Sequence, residues 1–326
     1  MPLSAVMYHY VRDLPNTPWP RIKGLLTSAF AGQLDYLQRH YEVVDIQYVI
    51  DAARSGASLP SNAALLTFDD GFAEHADIVT PMLVERGLTA SFYAPVVSAR
   101  ERRVLGVHKI HFILASVDHV SPVRDALFEE LARQRTQGVE LPTDAELIVT
   151  WQTTKKRYDP PEVVFVKRVL QRGLPSGVRE QVIDVLFRRF VTRDERAFAD
   201  ELYASMDDLS AMIGAGMTIG GHGHRHRWLD SLCVEEQRSE IHHTAAFLDE
   251  LYGGDCGDWV MCYPYGGYND DTLRLCAERG CALGLTTRVG LASFERPLEI
   301  ERLDTNDLPT TGSAPVSEWT RRALQM

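Results

Sequence analysis

Residues 63–71 have the sequence Ala-Ala-Leu-Leu-Thr-Phe-Asp-Asp-Gly, an apolar run that ends in two carboxylates and a glycine. A short apolar run of this kind is typical of a buried strand. Asp69 and Asp70 at the end of such a strand repel each other and are costly to desolvate. A bound divalent cation would offset that cost. The alternative is a simple turn, because Asp-Gly is a common turn dipeptide.

A second stretch, residues 217–226, has three histidines within five positions at the end of another apolar run. Neutral imidazole is a common ligand of zinc and related metals. His222 and His226 can face one point from a helical turn or a tight loop, whereas on a continued strand His224 would share their face. One carboxylate and two histidines leave coordination positions open, as in catalytic metal sites. An exposed basic loop is the alternative, but both motifs in one chain favour a metal site.

These motifs resemble those of the polysaccharide deacetylase superfamily, carbohydrate esterase family four. The segment 67–71 matches the family's Thr-Phe-Asp-Asp-Gly motif, and His222 and His226 match its His-Ser/Thr-x-x-His motif, with Gly223 at the Ser/Thr position. The segment 264–266, Pro-Tyr-Gly, matches the third motif. The resemblance extends from about Leu3 to Leu308 and is interrupted by a long middle segment.

The order of apolar segments predicts an α/β fold. Strand-like and helix-like segments alternate on both sides of the middle segment, which indicates a parallel α/β barrel. The resemblance implies a distorted (β/α) barrel of about seven parallel strands. We expect residues 1–97 to form the first part of this barrel, 98–206 a mostly helical insertion or cap, and 207–326 the second part of the barrel.

The resemblance also implies roles for individual residues. Asp70, His222 and His226 would hold a divalent metal, with zinc as the leading candidate, although such ligands also accept cobalt, nickel, manganese or iron. Asp69 would stay off the metal and act as general base in metal-assisted amide hydrolysis. The backbone N–H of Tyr265 would help to hold the oxyanion.

The chain departs from the family pattern at two points. Cys262 stands where many members have an arginine that tethers the base, and the late Leu-His element that supplies the general acid has no clear match. We predict His111 as the proton donor, with His108 and His9 as other candidates, or a mechanism through Asp69 alone. These histidines could equally be structural or surface residues. The substrate-binding residues predicted are His9, His108, Pro264 and Tyr265.

Composition limits the possible partners. The chain has 326 residues, 45% hydrophobic and 24% charged, and a formal net charge of −11. The negative charge argues against binding to nucleic acid or anionic membranes, and no apolar stretch is long enough for a membrane span. Five cysteines form no C-x-x-C pair, and the first residues do not resemble a signal peptide, so we expect a cytoplasmic protein. The oligomeric state is unknown from sequence.

The leading hypothesis is a metal-dependent N-deacetylase that hydrolyses an acetamido group on an amino sugar. The partner would be an N-acetylated sugar or sugar nucleotide. The absence of an export signal suggests a nucleotide- or lipid-linked precursor in the biosynthesis of a surface polysaccharide such as lipopolysaccharide or O-antigen. The alternatives are a metal-dependent hydrolase of a non-sugar amide or imide, and an inactive glycan-binding protein.

Overall fold

A computed structural model describes residues 3–153 and 159–324 of the chain. The chain divides into two compact units. The first, here called the barrel unit, consists of Met1–Asp13, Gly24–Arg103 and Ala199–Met326. The second, here called the helical unit, consists of Leu14–Lys23 and Val104–Phe198.

The barrel unit is built on parallel strands. In chain order the strands are β1 Ser4–Tyr8, β2 Val11–Arg12, β3 Leu25–Leu26, β4 Glu42–Val43, β5 Ala63–Asp69, β6 Ser91–Ala94, β7 Thr218–Gly221, β8 Trp259–Cys262, β9 Cys281–Val289 and β10 Ile300–Asp304. The large sheet has the order β1-β10-β9-β8-β7-β6-β5-β4, and β1 also pairs with β5. Seven strands therefore close into a ring, and β4 adds a short edge to β5. The predicted barrel of about seven parallel strands is confirmed.

Strand β5 is central because it carries the two aspartates. All seven of its residues are buried, as expected for an apolar strand in a closed parallel barrel. It pairs with β1 over Ala64–Phe68 and with β6 over Thr67–Asp69. Because all ring strands are parallel, their carboxyl ends lie at one end of the barrel, where side chains from different strands can converge.

Helices surround the ring. Those outside the helical unit are α1 Thr27–His40, α2 Ile46–Ser55, α3 Thr80–Glu85, α4 Val96–Ala99, α11 Met206–Gly214, α12 Val234–Tyr252, α13 Asp270–Glu278 and α14 Glu318–Ala323. The helix α10 Glu195–Leu202 contains the change from the helical unit to the barrel unit, between Phe198 and Ala199. Local signals explain several boundaries. The Asp45 side chain accepts from the backbone N–H of Tyr48 at the start of α2, and Gly253 in the left-handed region ends α12.

Two apolar cores stabilise the barrel unit. One lies between the strands and the surrounding helices and includes Phe30, Phe68, Phe92 and Phe247. The other includes strand residues on the opposite face together with residues of α2; its members include Ala5, Leu65, Tyr93, Val260, Leu283, Leu285, Ile46 and Val49. In β1, β5, β6 and β8, alternate residues therefore enter different cores, as the period-2 geometry of a strand requires.

The helical unit contains α5 Gly106–Ala115, α6 Ser121–Thr136, α7 Asp144–Trp151, α8 Pro161–Arg168 and α9 Ser176–Phe190. It has an apolar core of its own, in which Phe198 packs edge-on against Phe112 and Phe187 at centroid distances of 4.8 and 5.3 Å. Trp19 packs against the same group, with its ring 5.3 Å from Phe112. This contact explains why the proline-rich loop near the N-terminus belongs to this unit.

The predicted domain boundaries stay a prediction. The two compact units change over at Arg103 and Ala199, a few residues from the predicted limits of 98–206, and they also assign Leu14–Lys23 to the helical unit. No periodicity within a short proline-rich loop could indicate that assignment. Within residues 3–153 and 159–324, no helix is both long enough and apolar enough to cross a membrane.

Gly220 on β7 provides a test of the barrel packing. A Cβ at this position would lie 2.5 Å from Tyr93 Cε1 and 2.9 Å from the backbone oxygen of Val260. We expect Gly220→Ala to lower the free energy of unfolding by about 2 kcal/mol, because overpacking displaces a ring and a strand. The measurement is urea unfolding, with Gly254→Ala as the control because its Cβ would meet nothing within 4 Å. Equal unfolding midpoints for both variants would contradict this packing.

Candidate metal centre

The carboxyl ends of two strands, β5 and β7, bring the predicted metal-site residues together. Asp69 is the last residue of β5 and Asp70 follows it, while the loop after β7 carries His222 and His226. Asp69, Asp70 and both histidines are buried, with at most 8% exposure. The structure therefore brings together, at the end of the barrel, two sequence motifs that are about 150 residues apart.

The three predicted metal ligands have the geometry of a cation site. Asp70 Oδ1 lies 3.5 Å from His222 Nε2 and 3.4 Å from His226 Nε2, and the two Nε2 atoms are 3.2 Å apart. Ligands about 2.1 Å from a tetrahedral zinc ion are separated by roughly 3.4 Å. Three convergent donor atoms at this spacing fit a divalent metal, since one carboxylate and two imidazoles form a donor set of the catalytic type.

His222 is oriented by the neighbouring strand. Its Nδ1 lies 2.8 Å from the backbone oxygen of Cys262, so Nδ1 donates and Nε2 keeps its lone pair for a metal. Burial lowers the pKa of His222, but the surrounding acidic groups, the carboxylates of Asp70 and Asp69 among them, raise it well above the usual value. A metal must therefore displace a proton from this imidazole.

A second donor group overlaps the first but fits a metal less well. Asp69, His222 and Cys262 also have ligand atoms within 4.8 Å of one another. Burial raises the pKa of the Cys262 thiol, which therefore stays protonated, and a protonated thiol is a poor metal ligand. The carboxylate of Asp69 is instead paired with the guanidinium of Arg302.

The loop after β7 that carries His222, His224 and His226 is here called the histidine loop. Hydrogen bonds to its backbone hold it in place. The buried carboxylate of Glu240 accepts from the N–H groups of His224 and Arg225, both at 2.9 Å. The backbone oxygen of Gly223 accepts from the N–H of Val96 at 3.2 Å. Gly223 has φ +75°, and a Cβ there would lie 3.1 Å from Pro264 Cγ, which explains why glycine replaces the usual Ser or Thr.

Backbone strain is concentrated at the site. Four non-glycine residues have positive φ in the described parts of the chain, and three of them are Asp70 (79°), His226 (53°) and Tyr265 (58°). Non-glycine residues in the left-handed region cost roughly 1 kcal/mol or more each. The surrounding fold therefore holds these three side chains in conformations that the free chain disfavours.

Arg302 holds the carboxylate of Asp69 in place, and the sequence analysis did not predict this ion pair. Arg302 Nη1 and Nη2 donate to Asp69 Oδ1 and Oδ2, both at 2.8 Å, and Nε donates to the backbone oxygen of Thr286. Arg302 is 1% exposed and Asp69 is 2% exposed. Burial alone would raise the pKa of Asp69, but Arg302 lowers it well below its usual value, so the carboxylate remains ionised. Arg302 Nη2 also lies 3.2 Å from Cys262 Sγ.

The sequence contained one signal for this residue. Residues 298–303 are predicted to be a strand, and a buried parallel strand almost never holds a charged side chain unless that side chain is paired. An arginine there implies a buried acid elsewhere in the barrel. The segment alone does not identify which acid, because the partner is more than 200 residues away.

His9 is the predicted substrate-binding residue that the structure places beside Asp69. Its Nε2 lies 3.8 Å from Asp69 Oδ2, and its side chain is 43% exposed. Its backbone oxygen lies 2.9 Å from Nε2 of the buried His75. Burial lowers the pKa of His75 to about 4, so at neutral pH His75 is uncharged and donates to this oxygen.

Tyr265 and Pro264 also lie at the site. The Tyr265 ring packs edge-on against His226 at 4.5 Å and stacks on Trp228 at 4.3 Å with an interplanar angle of 5°. Pro264 is buried against Gly223. Trp228, which the sequence reading did not single out, thus covers one face of Tyr265.

The remaining histidines lie elsewhere. His224 stacks on His243 at 4.5 Å, and its Nε2 lies 3.5 Å from Glu101, so it is not one of the three convergent ligands. His108 and His111 lie on α5 of the helical unit, where His108 is fully buried and His111 is half-buried. Their predicted roles stay predictions, although complete burial of His108 argues against direct contact with substrate.

Comparison with known proteins confirms the family resemblance. Residues 182–284 match the family model of the polysaccharide deacetylases. The YxkH protein of Bacillus subtilis (strain 168) is 29% identical over 90 residues, which are 28% of this chain and 32% of that protein. The poly-beta-1,6-N-acetyl-D-glucosamine N-deacetylase of Escherichia coli (strain K12) is 35% identical over 80 residues, which are 24% of this chain and 12% of that protein. The match thus spans a third or less of these relatives.

Similarity of structure covers much more of the chain. The Streptococcus pyogenes deacetylase PplD, solved in complex with acetate, has a TM-score of 0.57 and 15% sequence identity. The match covers 93% of this chain and 92% of that one. At this identity the comparison establishes the shared fold.

The buried pair Asp69–Arg302 predicts a specific double-mutant result. We expect Arg302→Met to lower the free energy of unfolding at pH 7 by about 3–5 kcal/mol, because it leaves Asp69 buried without a cation. Without Arg302 the pKa of Asp69 is raised by burial, so the loss should shrink as the pH falls and the carboxyl becomes protonated. Adding Asp69→Asn should recover part of the loss.

Urea unfolding between about pH 5 and pH 7.5 measures the coupling energy between the two side chains. The four proteins compared are the unsubstituted chain, Arg302→Met, Asp69→Asn and the double variant. Arg288→Met is the matched control, because Arg288 forms an exposed ion pair with Glu299 and should change stability by less than about 1 kcal/mol. Strictly additive effects of the Arg302 and Asp69 substitutions would show that the two side chains are not paired.

Metal binding should compete with protonation of His222. Because the raised pKa of His222 means that a metal displaces a proton, zinc affinity should fall about tenfold per unit decrease in pH below that pKa. Competition with a colorimetric chelator at pH 6, 7 and 8 measures the affinity. His226→Gln should lose the site, whereas His224→Gln should retain it. Tight binding by His226→Gln, or loss in His224→Gln alone, would refute the ligand assignment.

Proposed function

Because this chain carries a polysaccharide deacetylase domain, we propose that it is a metal-dependent N-deacetylase that hydrolyses the acetamido group of an N-acetylated amino sugar. The observation that carries the proposal is the division of charge between the two adjacent aspartates. Asp69 is paired with Arg302, whereas Asp70 faces His222 and His226. One carboxylate is thus available as a base and the other as a metal ligand.

The proton transfers are assigned to residues around Asp69. The chemistry that a divalent ion at this site supplies when bound is Lewis acidity toward an acyl oxygen and toward water; zinc is our leading candidate. Asp69 accepts the proton of the attacking water as general base, and Arg302 keeps it ionised and fixes the plane of its carboxylate. The backbone N–H of Tyr265 stabilises the negative charge that develops on the acyl oxygen.

We propose His9 as the group that gives a proton to the leaving amine. Its Nε2 lies 3.8 Å from Asp69 Oδ2, and its side chain is 43% exposed. A substrate that enters from solvent would therefore meet this imidazole. His75 fixes the backbone of His9. This places the acid in the barrel unit, so the role predicted for His111 is an alternative rather than a requirement.

The substrate is either a precursor or a polymer. A nucleotide- or lipid-linked N-acetylated sugar, in a pathway such as lipopolysaccharide or O-antigen synthesis, accords with a cytoplasmic protein. All five cysteines are unpaired, including the buried Cys262, Cys276 and Cys281, which favours a reducing compartment. An N-acetylglucosamine polymer is the second candidate, because the Escherichia coli relative is named for deacetylation of such a polymer.

Acetate release from a panel of substrates tests the proposal. The zinc-loaded protein is incubated with a nucleotide-linked N-acetylglucosamine, N-acetylglucosamine oligomers, an acetylated polyamine and a cyclic imide. Asp69→Asn should reduce kcat by roughly 100- to 10,000-fold without loss of metal, because Asp69 is a base and not a ligand. His9→Gln should lower kcat while metal binding is retained, because the leaving amine then lacks its proton donor.

The panel also separates the alternatives. Release of acetate only from oligomers would discard the precursor. Turnover of the imide or polyamine alone would favour a non-sugar amide hydrolase. Tight binding of oligomers without any turnover would favour an inactive glycan-binding protein, and full activity of Asp69→Asn would show that the base is another residue.

A further inference from the structure

Glu240 on α12 is a carboxylate that is buried in the barrel unit without a cation of its own. None of the ion pairs formed by residues 3–153 and 159–324 includes it. A buried carboxylate that lacks a cation is costly, so the structure must supply a compensating interaction.

The compensating interaction comes from the backbone of the histidine loop. Glu240 Oε2 accepts hydrogen bonds from the N–H groups of His224 and Arg225, both at 2.9 Å. Two successive N–H groups that point at one oxygen form an anion-binding concavity. Hydrogen bonds to an ionised acceptor are also stronger than those between neutral groups. The loop and the carboxylate therefore stabilise each other.

The two N–H groups that Glu240 binds lie between the candidate ligands His222 and His226 in the sequence. A change in the path of the backbone between these ligands would alter the separation of their Nε2 atoms, which is 3.2 Å. His226 also has φ 53°, a conformation that a free loop disfavours. Glu240 therefore influences the geometry of the candidate ligands without being one of the three convergent donors.

Packing of α12 against β7 fixes the position of Glu240. One helical turn further along, Thr244 Oγ1 donates to the backbone oxygen of Glu240 at 2.8 Å. A Cβ at Gly221, the last residue of β7, would lie 2.3 Å from Thr244 Cγ2, so the helix approaches the strand closely because residue 221 has no side chain. Residues four apart lie on one face of a helix, so Glu240 is on the face of α12 that packs at this strand end.

The charges at the candidate metal centre leave a role for a second anion. Arg302 neutralises Asp69, and imidazoles bind a metal in their neutral form, so Asp70 is the one charged group among the three candidate ligands. A divalent cation held there would keep one positive charge that these ligands do not balance. Glu240, which is bonded to the loop that carries both histidines, adds a second negative charge in a buried region where salt screens weakly.

We propose that Glu240 is a positioning residue for the metal. Its carboxylate holds the histidine loop in the conformation that brings His222 and His226 together, and it supplies a second negative charge toward a divalent cation. This inference rests on the metal site of the proposed function and does not depend on the substrate. Residues that orient metal ligands typically change metal affinity by about 10- to 100-fold when they are replaced.

The zinc affinities of Glu240→Gln and Glu240→Leu, measured in the full chain, separate the two contributions. The glutamine amide keeps an oxygen that can accept both N–H groups but removes the charge, so we expect the Kd for zinc to rise roughly tenfold. Leucine leaves both N–H groups without an acceptor, so we expect a rise of roughly 100-fold. Competition with a colorimetric chelator at neutral pH measures each Kd.

Gln237→Leu is the matched control. Gln237 is a buried polar residue on the same helix, and its hydrogen bonds go to Leu232 and Thr272 instead of the histidine loop. The substitution should lower the stability of the metal-free protein in urea, because buried polar groups lose their partners, but should leave zinc affinity unchanged. If Glu240→Leu and Gln237→Leu changed zinc affinity equally, the role of Glu240 would be structural only and the inference would be overturned.

The affinities decide each part of the proposal. Unchanged zinc affinity of Glu240→Gln would overturn the contribution of charge, and unchanged affinity of Glu240→Leu would overturn the contribution of position. Should Glu240→Leu not fold, Glu240→Asp takes its place, because it keeps the charge but is one methylene too short to reach both N–H groups. No zinc binding by the unsubstituted chain would overturn both this inference and the proposed function. Zinc binding that depends on Glu240, without acetate release from any substrate, would overturn only the deacetylase.

Discussion

The buried ion pair between Asp69 and Arg302 is the constraint on which the candidate site depends. Two adjacent carboxylates at the end of a buried strand would repel each other and favour protonation of one of them. A guanidinium with both Nη atoms 2.8 Å from one carboxylate neutralises that group inside the barrel. Asp70 is then the carboxylate that faces the two imidazoles, so neighbouring residues of one type lie in two different electrostatic environments.

The pairing of Arg302 with Asp69 also explains why Cys262 can stand where the family usually has an arginine. The guanidinium approaches Asp69 from β10, and Cys262 Sγ lies 3.2 Å from its Nη2. A second arginine at position 262 would bring a second buried cation to the one carboxylate, Asp69, that Arg302 already pairs with. The small, uncharged thiol leaves room for Arg302, and the backbone oxygen of the same residue orients His222.

Residues with a strained backbone at the site are held by neighbouring hydrogen bonds and ring packing. Asp70, His226 and Tyr265 have left-handed backbone conformations, which the fold must stabilise at some cost. The buried carboxylate of Glu240 and the N-terminal residues of α4 bind the backbone of the histidine loop, and Trp228 stacks on Tyr265. The three candidate ligands are therefore positioned by packing and hydrogen bonding in the protein itself, so that a metal would meet a preformed set of donors.

Much of this protein followed from local sequence. The strand–helix alternation predicted the parallel barrel, and the apolar run before Asp69 and the spacing of His222 and His226 indicated the candidate metal ligands, because adjacent residues on one strand end or loop must lie close in space. What only the tertiary structure decided are the contacts between distant segments. Arg302 pairs with a carboxylate 233 positions away, His9 lies beside the same group, and the loop of Arg21 and Lys23 belongs to the helical unit. These contacts depend on strand order and on packing between segments, and periodicity within a single segment carries no information about either.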